Sequence, residues 1–212
     1  MEALGNYFST VQQWLFELAV QPAMFALGLG NLLEDGYQAT AWFMVGLIQV
    51  AVLLAVIGPL RRQFWSGGQA APGVRLLDVG SGAGLPGVVI AICCPGLAVT
   101  CVDTVAKKAA FVQQAAASLR LPNLHGLHAR VEKLAGSFDV VVSRAFASLP
   151  DFVALSAQAL EEGGVWLAMK GKHPSDELAA LANDIDVFHV EQLQVPGLDA
   201  QRCLVWMRRR TK

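Results

Sequence analysis

The chain has 212 residues and a mass of 22.6 kDa, room for one domain and an extension rather than two full domains. Hydrophobic residues make up 54%, charged residues 16%, and mean hydropathy is +0.45, which excludes a disordered chain, a collagenous repeat and a highly charged coiled coil. Residues 1–60 hold no Lys or Arg and four acids, so all 16 basic residues and the other 13 acids follow them; the net charge of −1 excludes general polyanion binding. The mildly positive remainder, with Arg208, Arg209 and Arg210 near its end, would still not repel nucleic acid.

In chain order, Tyr7 to Leu33 is apolar but interrupted by Glu17 and Pro22, and an interfacial helix and a poor second span both fit it. Ala39 to Leu60 runs 22 residues without a charge. At ~1.5 Å per residue such a helix would extend about 33 Å, enough for a bilayer core of ~30 Å. Trp42 lies near one end, Pro59 closes the other, and Arg61 and Arg62 follow at once. The spacing predicts a transmembrane segment over 39–60 with the C-terminal part on the cytoplasmic side. No basic stretch precedes it and it exceeds the apolar core of a cleavable signal peptide, so it is expected to be retained. The competing reading is a core helix of a soluble domain. Residues 61–73, rich in Gly, Ser and Pro, read as a linker, and 74–212 as the domain proper.

From Val74 onward short apolar runs alternate with longer amphipathic ones, the pattern of βαβ repetition in a parallel sheet. Strands are expected at 74–79, 98–102, 124–129, 138–142 and 164–170, and helices at 85–94, 105–119, 151–160 and 175–182. A closing hairpin of 187–195 and 202–208 turns at Pro196, Gly197, Leu198 and Asp199. Cys93, Cys94, Cys101 and Cys203 match no zinc spacing and sit in apolar runs, so all four are expected reduced and buried. His125 and His128 fall three apart on a strand and face opposite sides; no metal is assigned.

The sharpest motif is Asp78-Val79-Gly80-Ser81-Gly82-Ala83-Gly84-Leu85-Pro86-Gly87, which follows a strand and opens a helix. Glycines there let backbone approach a nucleotide-like ligand, and Asp103, ending the second strand, can accept hydrogen bonds from both hydroxyls of a ribose. Gly82 to Gly87 also satisfies G-x-G-x-x-G, so an NAD-type dinucleotide-binding protein competes. Against it stand the spacing Gly80-x-Gly82-x-Gly84 with an acid inside the preceding strand, an arrangement seen in S-adenosylmethionine-dependent methyltransferases, and the lack of a second domain for a hydride donor's substrate.

From about Leu76 to Arg209 the chain resembles the bacterial 16S ribosomal RNA guanine-N7 methyltransferases, also called glucose-inhibited division protein B. The shared words are DVGSGAGLPGVVIA (Asp78 to Ala91), VDTVAKKAAF (Val102 to Phe111), RVE (Arg130 to Glu132), SRAFASL (Ser143 to Leu149), MKG (Met169 to Gly171) and VPGLDAQRCLV (Val195 to Val205). The resemblance implies a class I, Rossmann-like α/β methyltransferase sheet, mostly parallel with a C-terminal antiparallel strand; the hydropathy of residues 1–60 places an apolar helical extension before it. It implies S-adenosyl-L-methionine as cofactor, with Gly80 and Leu85 beside its methionine moiety, Gly82 and Gly84 in the turn, Asp103 on the ribose, and Val131 and Glu132 beside the adenine. Arg144 would contact the cofactor near the target base as the catalytic positioning group, and Lys170 and Arg202 are weaker candidates for RNA phosphate contacts. The implied partner is 16S ribosomal RNA or the small ribosomal subunit; the hydropathy of 39–60 separately predicts membrane contact.

Guanine N7 carries an in-plane lone pair and no proton, so its methylation needs no general base, and the scarcity of His or Cys catalysts is expected. Residues 1–60 depart from the resemblance, lacking the Asn-Leu-Thr and His-x-x-Asp-Ser words that precede the first strand in that family. In hydropathy they are weakly similar to the N-terminal membrane segment of sterol-desaturase-type proteins, without the iron-binding histidine clusters. A membrane-tethered, catalytically impaired fusion that keeps the cofactor fold is therefore a second expectation.

Overall fold

A computed structural model describes residues 65–66, 69–70, 73–134, 138–144, 146–193 and 201–210. The expected apolar extension with its span over 39–60, most of the linker and the turn at 196–199 lie outside the described residues. Within the linker, β1 (Trp65–Ser66) pairs antiparallel with β2 (Gln69–Ala70).

The rest builds a seven-stranded sheet from β3 (Arg75–Val79), β4 (Ala98–Asp103), β5 (Leu124–His128), β6 (Phe138–Arg144), β7 (Leu160–Lys170), β8 (Ile185–Leu193) and β9 (Arg202–Arg209). Its order is β5-β4-β3-β6-β7-β9-β8. β3 to β7 pair in parallel, and β9 runs antiparallel to both β7 and β8. This is the mostly parallel sheet with one reversed C-terminal strand that the sequence predicts.

Side chains of a strand point alternately to its two faces, and both faces here are covered, so the central strands are continuous apolar runs. Leu76, Val140, Val142, Leu167, Leu204 and Trp206 pack on one side with α1 (Gly87–Cys93) and α2 (Ala106–Ser118). Leu77, Val79, Val141, Trp166, Val205 and Met207 pack on the other with α3 (Leu149–Ser156), whose Phe152 is 1% exposed. A short fourth helix, α4 (Ser175–Ala179), lies between β7 and β8.

Several boundaries differ from expectation, most of all around α3 and β7. Helix α3 starts at Leu149 rather than Asp151 because Ser148 caps it, its Oγ accepting from Asp151 N at 3.2 Å, and Pro150 falls in the first turn, where a missing N–H costs nothing. It stops at Ser156 because β7 begins early: Leu160 pairs with Phe138, then the register shifts before Val140 meets Val165. The expectation for the cysteines is corrected at one position. Cys94, Cys101 and Cys203 are buried, but Cys93 is exposed, because one step along a helix turns about 100° and carries it off the buried face.

Under α3, Ser156 Oγ donates to Phe152 O at 2.6 Å and accepts from Trp166 Nε1 at 2.9 Å, with both side chains wholly buried. Ser156→Ala leaves the indole N–H without a partner and is expected to cost about 1–3 kcal/mol in urea unfolding. Combining it with Trp166→Phe removes the orphaned donor, so the double variant should lose less than the sum of the two single losses.

Candidate cofactor pocket

All five parallel strands end at one edge of the sheet, and open α/β sheets bind ligands beyond that edge. The chain leaves β3 through Gly80, Gly82 and Gly84, at φ of +66°, +58° and +83°, a left-handed region that strains side chains. Gly80 N and Ser81 N both donate to Val102 O, at 2.9 and 3.2 Å, which folds the turn back over β4. A Cβ on Gly80 would stand 2.6 Å from Phe146 Cδ2, so this position is closed to side chains by space as well as by φ.

Beside that turn lies a cavity of about 370 Å³. Its walls come from the ends of β3 and β4 (Val79, Gly80, Val102, Asp103), the start of α2 (Thr104, Val105, Lys108), the segment after β5 (Ala129 to Glu132), and Phe146 with Leu155. Asp103 is 7% exposed; its Oδ2 accepts from Gly82 N at 3.0 Å and its Oδ1 from Val105 N at 2.9 Å. One carboxylate thus ties the two turns that frame the pocket. Lys108 Nζ stands 3.9 Å from Asp103 Oδ2.

Across the cavity Val131 is buried in a 3-10 turn, Val131–Lys133, while Glu132 receives Arg130 Nη2 at 3.0 Å. The Glu132 backbone N–H, then Arg130, hold its carboxyl below the usual carboxylate range, so it is ionised at neutral pH.

The structure brings four of the predicted residues to the cavity wall: Gly80, Asp103, Val131 and Glu132. Gly82 joins them through its hydrogen bond to Asp103. Gly84 and Leu85 lie in the turn behind, Leu85 only 1% exposed. Arg144 is half-buried at the end of the neighbouring β6, off the wall. Lys170 ends β7 and Arg202 begins the reversed β9, so both reach the same sheet edge. Lys170 Nζ is held by Glu177 and by Ala147 O, each at 2.7 Å, and Arg202 Nη1 donates to Gln201 O at 2.7 Å. Sequence reasoning missed Lys108, Phe146 and Leu155. Phe146 stands inside the SRAFASL word, which was the available signal; Leu155 reads as an ordinary helix-core leucine.

Beneath the turn, Asp78 has no exposed surface. Its Oδ2 accepts from Gly87 N at 2.9 Å and from the Cys101 thiol at 3.8 Å, while its Oδ1 has no hydrogen-bond partner among the described residues. A Cβ on Gly87 would collide with Cys101 Sγ and Asp78 Oδ2, so this close approach requires glycine. Burial pushes the Asp78 carboxyl up from its ordinary 3.8 to about 7, against the lowering influence of the Gly87 N–H, Arg144 and the Cys101 thiol. Burial, then Asp78 itself, keeps the thiol of Cys101 well above its ordinary range and protonated.

An acid with a raised folded-state pKa takes up a proton on folding between its unfolded and folded values. Stability should therefore fall as pH rises from about 4 to about 7, on the order of a few kcal/mol, and level off above. Urea midpoints at about pH 5 and about pH 8 should show this loss in the natural protein and a flatter profile in Asp78→Asn, measured by circular dichroism.

The family model described as GidB, rRNA small subunit methyltransferase G, matches residues 65–205. Ribosomal RNA small subunit methyltransferase G of an Acidovorax species is 69% identical over 158 residues, which are 73% of this chain and 70% of that protein. The protein of the same name from a Polaromonas species is 68% identical over 155 residues, 73% of this chain and 68% of its own length. Among solved structures, geranyl diphosphate C-methyltransferase of Streptomyces coelicolor, in complex with S-adenosyl-L-homocysteine, superposes with a TM-score of 0.57 at 18% identity. The match covers 72% of this chain and 74% of that one, and it shows a shared fold. The sheet is thus the class I methyltransferase sheet, and the chain belongs to the GidB family, the rRNA small subunit methyltransferases G.

Proposed function

We propose that this protein transfers the methyl group of S-adenosyl-L-methionine to N7 of a guanine in 16S ribosomal RNA. The observation that carries the choice of cofactor is the closed N-terminus of α1. A dinucleotide's pyrophosphate sits on free amides at that place. Here Gly87 N is given to the buried Asp78 carboxyl, Val88 N to Gly84 O at 2.7 Å and Ile90 N to Pro86 O at 3.0 Å.

The pocket fits an adenosine with a sulfonium side chain. A carboxylate offers about four lone-pair sites, and Asp103 has given two to the turns, so two are left for the ribose hydroxyls. Val131, Phe146 and Leu155 supply apolar wall for the adenine, Glu132 an ionised acceptor at its rim, and Gly80 the close backbone approach. When bound, the cofactor supplies an activated methyl group for transfer to guanine N7, which carries no proton, so the chain's residues have none to remove.

The protein's task is placement and electrostatics. A near-attack separation is ~3–3.5 Å between nucleophile and methyl carbon. Arg144, on the strand next to β3, is the group we assign to hold the base side of the site, and Lys170 and Arg202, on the same edge, are assigned to the RNA backbone. The small ribosomal subunit is the proposed partner in the cytoplasm. The apolar segment 39–60 supports membrane contact through its hydropathy alone; among the described residues no helix is long and apolar enough to cross a membrane.

Calorimetry on full-length protein in detergent should show binding of S-adenosyl-L-methionine and none of NAD. Methylation of small subunits should fall by about two orders of magnitude or more in Asp103→Ala and Arg144→Ala, read as loss of 7-methylguanosine. Undiminished methylation by either variant overturns that residue's role. Absence of binding by the folded natural protein overturns the assignment of the pocket.

A further inference from the structure

Phe146 forms one wall of the pocket, and its ring fills the space a side chain on Gly80 would need. It meets Phe152 of α3 edge-on, with ring centroids 6.4 Å apart. Whatever holds the segment between β6 and α3 therefore sets the shape of the pocket. That hold comes from two charged side chains on other elements. Glu177, in the first turn of α4, accepts the Leu149 N–H at 2.6 Å and the Lys170 ammonium at 2.7 Å, both on Oε2. Lys170 Nζ also donates to Ala147 O at 2.7 Å. Leu149 N is one of the amides at the start of α3 that a helix leaves unpaired, and Ser148 Oγ serves a different one, Asp151 N.

We propose that Glu177, acting with Lys170, is a positioning residue for cofactor binding: the pair clamps the segment carrying Phe146 against the glycine turn. The inference rests on the assignment of the pocket to S-adenosyl-L-methionine. Neither side chain lines the pocket, and neither belongs to the two apolar cores. The Lys170 side chain is 15% and that of Glu177 33% exposed, so loss of the pair, with the Leu149 N–H left unpaired, costs a modest part of the global stability. Helix α3 keeps its Ser148 cap when the clamp is lost. Loosening therefore falls more on the pocket wall than on the fold.

The test uses full-length protein and S-adenosyl-L-homocysteine as probe. Glu177→Ala should raise its Kd about tenfold and raise KM for S-adenosyl-L-methionine in step, with kcat within about threefold and a thermal midpoint lowered by only a few degrees. Glu177→Gln keeps an acceptor for Leu149 N and should recover most of the affinity. Glu161→Gln, which breaks a pair with Arg75 (3.8 Å) at the other end of the sheet, should change nothing. Without any cofactor, hydrogen exchange of a peptide spanning 146–156 should quicken in Glu177→Ala and stay slow in Glu161→Gln. Unchanged affinity in Glu177→Ala, or unchanged exchange, overturns the clamp while leaving the cofactor assignment intact. Quickened exchange in a protein whose natural form does not bind the probe overturns the cofactor assignment, and with it the role proposed for Glu177.

Discussion

The hydrogen bond from Gly87 N to the buried carboxyl of Asp78 governs how the first βα unit is built. An acid with no exposed surface is costly to keep charged, and this one is relieved by proton uptake and by three lowering neighbours. In return it fixes the first amide of α1 over the end of β3, so the intervening turn has one path to follow. That path needs left-handed backbone at three glycines and returns its amides to Val102 and Asp103. The mouth of the pocket is thus a product of the core beneath it, not of a loop free to choose its shape.

The same economy extends along the sheet. Parallel pairing from β5 to β7 delivers Asp103, Val79, Arg144 and Lys170 to one edge, although they are spread over about ninety residues of chain. Reversal of β9 brings the start of that strand, Arg202, to the same edge. The proposed site, which would hold a small cofactor and offer basic groups to a large polyanion, would gain both from one topological feature. A net charge of −1 is compatible with this, because the cations proposed to meet the RNA are placed by strand direction rather than by abundance.

The alternation of apolar runs made the sheet legible, because strands covered on both faces have a distinctive composition. Asp78, the glycines and Asp103 were legible because few other demands explain those residue types at strand ends. The start of α3 was not: Pro150 reads as a breaker, and only the Ser148 to Asp151 capping contact turns it into a first-turn residue. Gly163 and Gly164 concealed the early start of β7, since glycines in a strand signal a loop unless the partner's register is known. Glu177 was invisible for a different reason. Its backbone partner Leu149 lies 28 residues away, and an acid in the first turn of a helix is adequately explained without it.

The insertion of β9 between β7 and β8 has a consequence for the order of assembly. As the chain is synthesised, β8 is made before the strand that will become its neighbour, and it has no place in the sheet until β9 arrives. During that interval the edge of β7, with Trp166 and Leu167, and the apolar face of β8 are both uncovered. Unpaired strand edges of this kind are the species that chaperones bind and that associate wrongly when concentrated. Loss of the chain from Arg202 onward would accordingly remove two strands from the sheet rather than one.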